Sequence, residues 1–206
     1  PSLAPLSVQY VDYAAWQRGY LAGETMEAEL SHWREALAGA PTTLDLPTDR
    51  PRPPKQSYVG DKVSLRVPKS IAEGLTKLAQ HEGATLFMAL AAAFSALLQR
   101  YTGQDDIALG TPVANRELEV WEPLVGVFLN TLVLRVDLSE EPSFRSLLAR
   151  VRETAFGAYA HQGVPFERVV DALATERDMS RSPLFQVLFT LQNAPQPLSA
   201  WGGVAL

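Results

Sequence analysis

The chain has 206 residues, 47% of them hydrophobic and 20% charged, with a formal net charge of −5 at pH 7. That length suits one large domain or two small ones, and the composition supports a sizeable core and argues against intrinsic disorder. An acidic balance without any basic run argues against nucleic-acid binding, which needs a cationic face opposite the phosphates. Cysteine is absent, which removes disulfides, thiolate metal ligation and a thiol nucleophile together. The apolar, uncharged stretch over residues 84–98 falls short of the roughly 20 residues of a membrane-spanning helix. No cationic start followed by an apolar run marks a secretory signal. The opening Pro1-Ser2-Leu3-Ala4-Pro5 lacks a methionine and reads as the edge of a piece cut from something longer.

In chain order, Ser7 is placed to cap a first helix reaching residue 21, with Val8, Val11, Ala15 and Trp16 on one apolar face. A second helix, after Gly23, carries the stripe Met26, Leu30, Trp33 and Leu37 and ends near Gly39. Residues 41–54 hold five of the fifteen prolines. Proline lacks an amide donor and pushes its predecessor away from helix, so an extended surface connector is expected. Val63, Leu65 and Val67 alternate with Lys62, Ser64 and Arg66, the pattern of a short strand. Pro68 then opens a helix with Ile71, Leu75, Leu78 and Ala79 in register, stopping at Gly83. Thr85 caps the next, whose Phe87, Leu90, Phe94, Leu97, Leu98 and Tyr101 make it apolar almost all round and predict a central, buried helix.

The second half repeats the alternation. Residues 107–113 and 128–138 read as strands. Ser143 or Pro142 starts a helix that aligns Phe144, Leu147, Leu148, Val151, Ala155 and Tyr159. A short helix after Pro165, a strand over residues 184–191 and a mobile tail from Ala194 complete the chain. The resulting plan is α/β, a mixed sheet layered with helices. Residues 1–40 are its helical opening, 41–60 its proline-rich connector, 61–193 its α/β core and 194–206 its tail.

Chemistry is not self-evident. His32, His81 and His161 have no second histidine at metal spacing and no converging carboxylates, so no metal site is expected. There is no Gly-x-Ser-x-Gly elbow, no glycine-rich phosphate cradle and no carboxylate pair singled out by spacing. Asn130 falls mid-strand on the face of Phe128, Leu132 and Leu134. A primary amide there is either a structural cross-strand staple or a donor aimed into a substrate channel. Arg177-Asp178-Met179-Ser180-Arg181 reads on spacing alone as a turn with a salt bridge.

Five ordered stretches nevertheless resemble one family. Val8-Gln9-Tyr10-Val11-Asp12-Tyr13-Ala14-Ala15-Trp16-Gln17 is similar to the YxDYAxWQ helix of the condensation domains of nonribosomal peptide synthetases. Gly110-Thr111-Pro112-Val113-Ala114-Asn115-Arg116 resembles their G(T/S)PVAxR strand, and Val125-Gly126-Val127-Phe128-Leu129-Asn130-Thr131 their (I/V)GxFxNT motif. His161-Gln162-Gly163-Val164-Pro165-Phe166-Glu167 fits HQDxPFE, with Gly163 in place of the aspartate. Residues 177–184 fit RDxSRNPL, with Ser182 in place of the asparagine.

The resemblance implies most of the C-terminal lobe of a two-lobed, chloramphenicol-acetyltransferase-like fold. The family's HHxxxDG signature, whose second histidine positions or deprotonates the attacking amine, lies upstream of the first motif and outside this chain. No catalytic residue is therefore assigned here, and the piece alone is expected to be inactive. The implied reaction is peptide-bond formation between donor and acceptor thioesters on phosphopantetheine arms of carrier proteins, with no cofactor held directly. Asn130, Gly126 and Arg116 are implied to line the tunnel between the lobes. His161, Gln162, Arg177, Asp178 and Arg181 are implied to support lobe packing or tunnel shape. Implied partners are the N-terminal lobe, upstream and downstream carrier proteins and an adenylation domain, in a cytoplasmic setting without nucleic acid or membrane. A non-catalytic docking platform and an epimerization or heterocyclization homologue are the alternatives. Thr131-Leu132-Val133-Leu134-Arg135 leans towards the subtype that joins two L-residues. A lobe face left uncovered predicts self-association.

Overall fold

Thr85 and Ser143 start the two helices around which the rest is arranged. Each hydroxyl accepts the backbone N–H three residues on, from Met88 and Ser146 respectively, both at 3.2 Å. The computed structural model describes residues 5–173, 178–192, 200–201 and 204–205. Six helices are described: α1 (Tyr10–Tyr20), α2 (Gly23–Ala36), α3 (Lys69–His81), α4 (Leu86–Thr102), α5 (Phe144–Ala160) and α6 (Phe166–Leu173). The strands are β1 (Asp106–Val113), β2 (Asn130–Asp137), β3 (Val187–Leu188), β4 (Ala200–Trp201) and β5 (Val204–Ala205). No single helix among the described residues is long and apolar enough to cross a membrane.

The main sheet is mixed, in the order β2-β1-β3. β1 runs antiparallel to β2, from Asp106 opposite Asp137 to Val113 opposite Asn130, and parallel to β3. Helices α4 and α5 pack together and onto this sheet. Met88, Ala89, Ala92, Leu148, Val151 and Ala155 thereby meet Ile107, Leu109, Leu132, Leu134 and Val136 in one core. A smaller aromatic core of Tyr13, Trp121, Leu124 and Phe128 lies under α1. The α/β layering expected from the sequence is therefore observed.

Several expectations are corrected. Residues 62–67 form no strand; Val63 is 97% and Leu65 89% exposed, because no described strand pairs with this alternating run. Helix α1 begins after Gln9 rather than at Ser7, since the Asp12 carboxylate accepts the Gln9 N–H at 2.8 Å. Its buried face is also not the expected one: Val11 is exposed, whereas Tyr13 is buried against Phe128 and Trp121. Helix α4 buries Met88, Ala89, Ala91, Ala92, Ser95 and Leu98 but exposes Leu97 and Tyr101, so it is sided rather than enclosed.

Strand β2 starts at Asn130, not Phe128, because β1 ends opposite it at Val113 and Phe128 turns into the aromatic core. The strand expected over residues 184–191 shrinks to β3. Leu184 adopts a left-handed backbone (φ 64°), and the Phe185 ring lies where a Cβ on Gly110 would sit. Residues 41–60 contain no helix or strand, and Leu44 among them is buried. The Leu44 N–H donates to Gln186 Oε1 (2.7 Å), Gln186 Nε2 to Thr42 O (3.1 Å) and Gln104 Nε2 to Thr43 O (3.0 Å). Most of the expected tail lies outside the described residues; within it, β4 and β5 pair antiparallel.

Candidate functional site

Four of the motifs singled out above meet at one groove of about 160 Å³. Helix α1 supplies Tyr13 and Gln17. The end of the loop into β2 supplies residues 127–131, and the turn between α5 and α6 supplies Gly163, Pro165, Phe166 and Glu167. Asn115 closes one side with a left-handed backbone (φ 51°) and only 8% exposure.

Asn130 joins two of these walls. Its Nδ2 donates to the carbonyls of Gln162 (2.7 Å) and Val164 (2.6 Å), and its Oδ1 accepts the N–H of Thr131 (2.9 Å) and of Phe166 (3.0 Å). Both amide donors and both lone pairs are thus used within the chain, and the residue is 8% exposed. The 161–166 turn, which has little regular structure of its own, is held on the groove side by this one side chain. Gln162 enters the site through its carbonyl oxygen.

Arg116 sits one layer behind. Its guanidinium donates to the carbonyls of Trp121, Glu122 (3.2 Å) and Leu124 (3.0 Å) and lies 4.0 Å from the Phe128 ring centroid. That fork holds the loop from β1 to β2 and supports the aromatic core by a cation–π contact. Gly126 touches α1: a Cβ there would overlap the Tyr10 ring, whose hydroxyl donates to Val127 O at 2.7 Å. Burial, followed by the neighbouring Tyr10, raises the Tyr13 phenol above its ordinary pKa, so it stays protonated as a donor at neutral pH.

His161 caps α5 and faces α2 rather than the groove. Its Nδ1 is 2.8 Å from Glu29 Oε2, its ring stacks on His32, and its carbonyl accepts Trp33 Nε1 at 3.2 Å. Asp178 and Arg181 pair at 2.9 Å and are not among the groove's lining residues. They belong to a turn that fixes the connector, where Arg52 donates to Ser180 O (3.2 Å) and the Gln56 N–H to Met179 O (3.1 Å). Hydrogen bonds from Ser180, then the Arg181 charge, hold the Asp178 carboxyl below its ordinary pKa. Arg177 lies outside the described residues. No group of three or more metal-ligating side chains converges among the described residues.

Sequence reasoning missed Glu29, placed Trp33 only on an apolar stripe and gave His32 no partner. No local pattern ties α2 to a turn about 130 residues later. Tyr10, Tyr13 and Trp16 carried a readable signal, since their i, i+3, i+6 spacing makes an aromatic stripe.

A family model described as Condensation domain matches residues 1–200. This chain belongs to the condensation-domain family. Among curated relatives of this condensation-domain chain, a linear gramicidin synthase polypeptide of Brevibacillus parabrevis is 55% identical over 206 residues, 100% of this chain and 4% of that protein. Malpibaldin synthetase of Mortierella alpina is 52% identical over 191 residues, 93% of this chain and 3% of that protein. Among solved structures, the X-domain from teicoplanin biosynthesis matches with a TM-score of 0.84 and 34% identity, covering 91% of this chain and 43% of that one. A four-domain nonribosomal peptide synthetase bound to AMP and glycine matches with a TM-score of 0.84 and 32% identity, covering 91% of this chain and 14% of that one. The condensation-domain chain thus spans a small part of the curated relatives and less than half of the matched X-domain. Its fold is the chloramphenicol-acetyltransferase-like one of condensation domains, and its relatives are nonribosomal peptide synthetases.

Proposed function

We propose that this chain supplies one lobe of a condensation domain that joins two substrates held as thioesters on the phosphopantetheine arms of carrier proteins. The acceptor amine attacks the donor thioester carbonyl; a C–N bond forms, the C–S bond breaks, and the thiol leaves with a proton. The observation that supports this reading is the groove, where four family motifs meet and Asn130 ties the turn before α6 to β2. An extended arm alternates methylene runs with amides. The groove offers matching chemistry: exposed Val127 and Leu129 for the apolar parts, and Gln17, Asn115 and Glu167 for the amides. Its contribution is to hold one reactant in line for attack by the other, which removes much of the entropic cost of a bimolecular step.

In this reading Asn130, Gly126 and Arg116 shape the substrate path through the loops they hold, and His161 and Gln162 hold its turn. Asp178 and Arg181 support the connector. The exposed apolar side chains Val125, Val127 and Leu129 face the rest of the condensation domain, and Val63 and Leu65 offer a second contact. Carrier proteins and an adenylation domain are the remaining partners.

Mixing this chain with the remainder of its parent condensation domain and both loaded carrier proteins tests the reading by mass spectrometry. Condensed product that requires both pieces is expected. Tight carrier binding by an intact parent domain that makes no product overturns it in favour of a docking platform.

A further inference from the structure

The turn that lines the groove is held from two sides, and only one side involves Asn130. On the other, the His32 and His161 rings stack with centroids 3.7 Å apart and planes 15° from parallel. Glu29 reaches His161 Nδ1 at 2.8 Å, and Trp33, which donates to His161 O, meets the His32 ring edge-on. Gly157 of α5 borders this stack: a Cβ there would make ordinary contact with the His32 ring, 3.5 Å from Cε1. Glu29, His32 and Trp33 all belong to α2, so one helix grips the residue where α5 becomes the turn.

We propose that Glu29 and His32 are positioning residues that set the 161–166 turn, and that a second proton on the imidazole pair releases it. Glu29 gives the pair a single counter-charge, beside His161 Nδ1. Protons on both rings place like charges face to face, and the stack opposes that. Burial first, and His161 second, hold His32 below its ordinary pKa, against weaker pulls from Glu29 and Glu35. Across the neighbouring cavity, α5 contributes Arg150 and Glu153, β1 Asp106 and β2 Arg135 and Asp137. Helix α6, also packed on α2, carries Glu167, Arg168 and Asp171.

The sign follows from the lowered value. The unfolded chain binds the His32 proton more readily, so the clamp is intact above the ordinary histidine pKa of about 6.5 and weakens as pH falls through the folded value. Gly163, Pro165 and Phe166 sit on the released turn, so the groove changes with it. The consequence for substrates rests on the proposed function; the clamp itself does not.

Amide exchange followed by NMR on the 206-residue chain tests the clamp, corrected for intrinsic rates and referenced to β1–β2 amides. The Phe166 N–H and the Asn130 side-chain amide report it, because both are bonded across the turn. From about pH 7.5 to 5.5 their protection is expected to fall several-fold in the wild type, with about tenfold the ceiling set by the ordinary histidine pKa of about 6.5. In His32→Phe, which keeps the stack without its proton, that fall should vanish, and in Glu29→Gln protection should be low at both ends. Protection that ignores pH in the wild type, or falls equally in His32→Phe, overturns the clamp. A parallel arm measures KM and kcat for the acceptor carrier with His32→Phe in the intact parent domain. An acid rise in wild-type KM that the variant lacks supports the clamp's link to the groove. A turn that releases without any change in KM upholds the clamp and overturns the groove's substrate role instead.

Discussion

Replacing Asn130 by alanine strips four backbone groups of their partner at once: the carbonyls of Gln162 and Val164 and the amides of Thr131 and Phe166. Each buried group left unpaired costs about 1–3 kcal/mol. The bonds to Gln162, Thr131 and Phe166 border the groove and are only partly buried, so water can replace Asn130 there. The bond to Val164 O is fully buried, and that carbonyl stays unsatisfied. The expected loss is therefore about 2–4 kcal/mol, well below the sum of four full penalties. For a chain of this size it lowers the melting temperature by roughly 5–15 °C. Urea unfolding followed by tryptophan fluorescence measures it, since Trp33 bonds to the turn's first residue and Trp121 lies in the aromatic core under α1. Asn130→Asp is the control. At neutral pH its carboxylate faces two carbonyl oxygens, so it should be less stable than Asn130→Ala. A loss below about 0.5 kcal/mol for alanine, or a more stable aspartate variant, would refute the staple assignment. Lost condensation at full stability would return Asn130 to the role of a donor in the substrate path.

The two glycines of the site should behave oppositely. Gly126→Ala drives a methyl into the Tyr10 ring and should cost about 1–3 kcal/mol, whereas Gly163→Asp enters open space and should stay within about 0.5 kcal/mol of wild type in the same unfolding assay. Stability supplied by Asp178 is present above the ordinary aspartate pKa of about 3.9 and is lost as pH falls through its lowered folded value, so Asp178→Asn should flatten the acid limb of a melting-temperature profile. An unchanged limb counts against the Ser180 bonds as its cause. The double variant Val63→Asp, Leu65→Asp alters only exposed side chains and should leave the melting temperature of this chain within a degree or two. The same double variant should destabilise the parent domain if this run pairs with the rest of it; equal melting temperatures in both contexts would exclude such pairing.

What the sequence determined by itself was local or periodic. Thr85 and Ser143 start helices by bonding three residues ahead, and the 3.6-residue apolar repeat of α5 already named Leu147, Leu148, Val151 and Ala155 as core. Alternation announced β1 and β2 within two residues. The family motifs were legible as ordered strings, and with them the membership in condensation domains. Tertiary structure alone decided how the strings meet. Asn130 carries no local mark that separates a staple from a substrate donor; its role depends on carbonyls 32 and 34 residues away. His161 meets Glu29 across 132 residues, and Leu44 enters the core through a glutamine 142 residues on. Residues 62–67 make the same point in reverse: a strand needs a partner as well as a pattern, because its hydrogen bonds are all made to another segment. Helix bonds close within four residues and can be read along the chain, but sheet edges, staples and stacked rings exist only once distant segments are brought together.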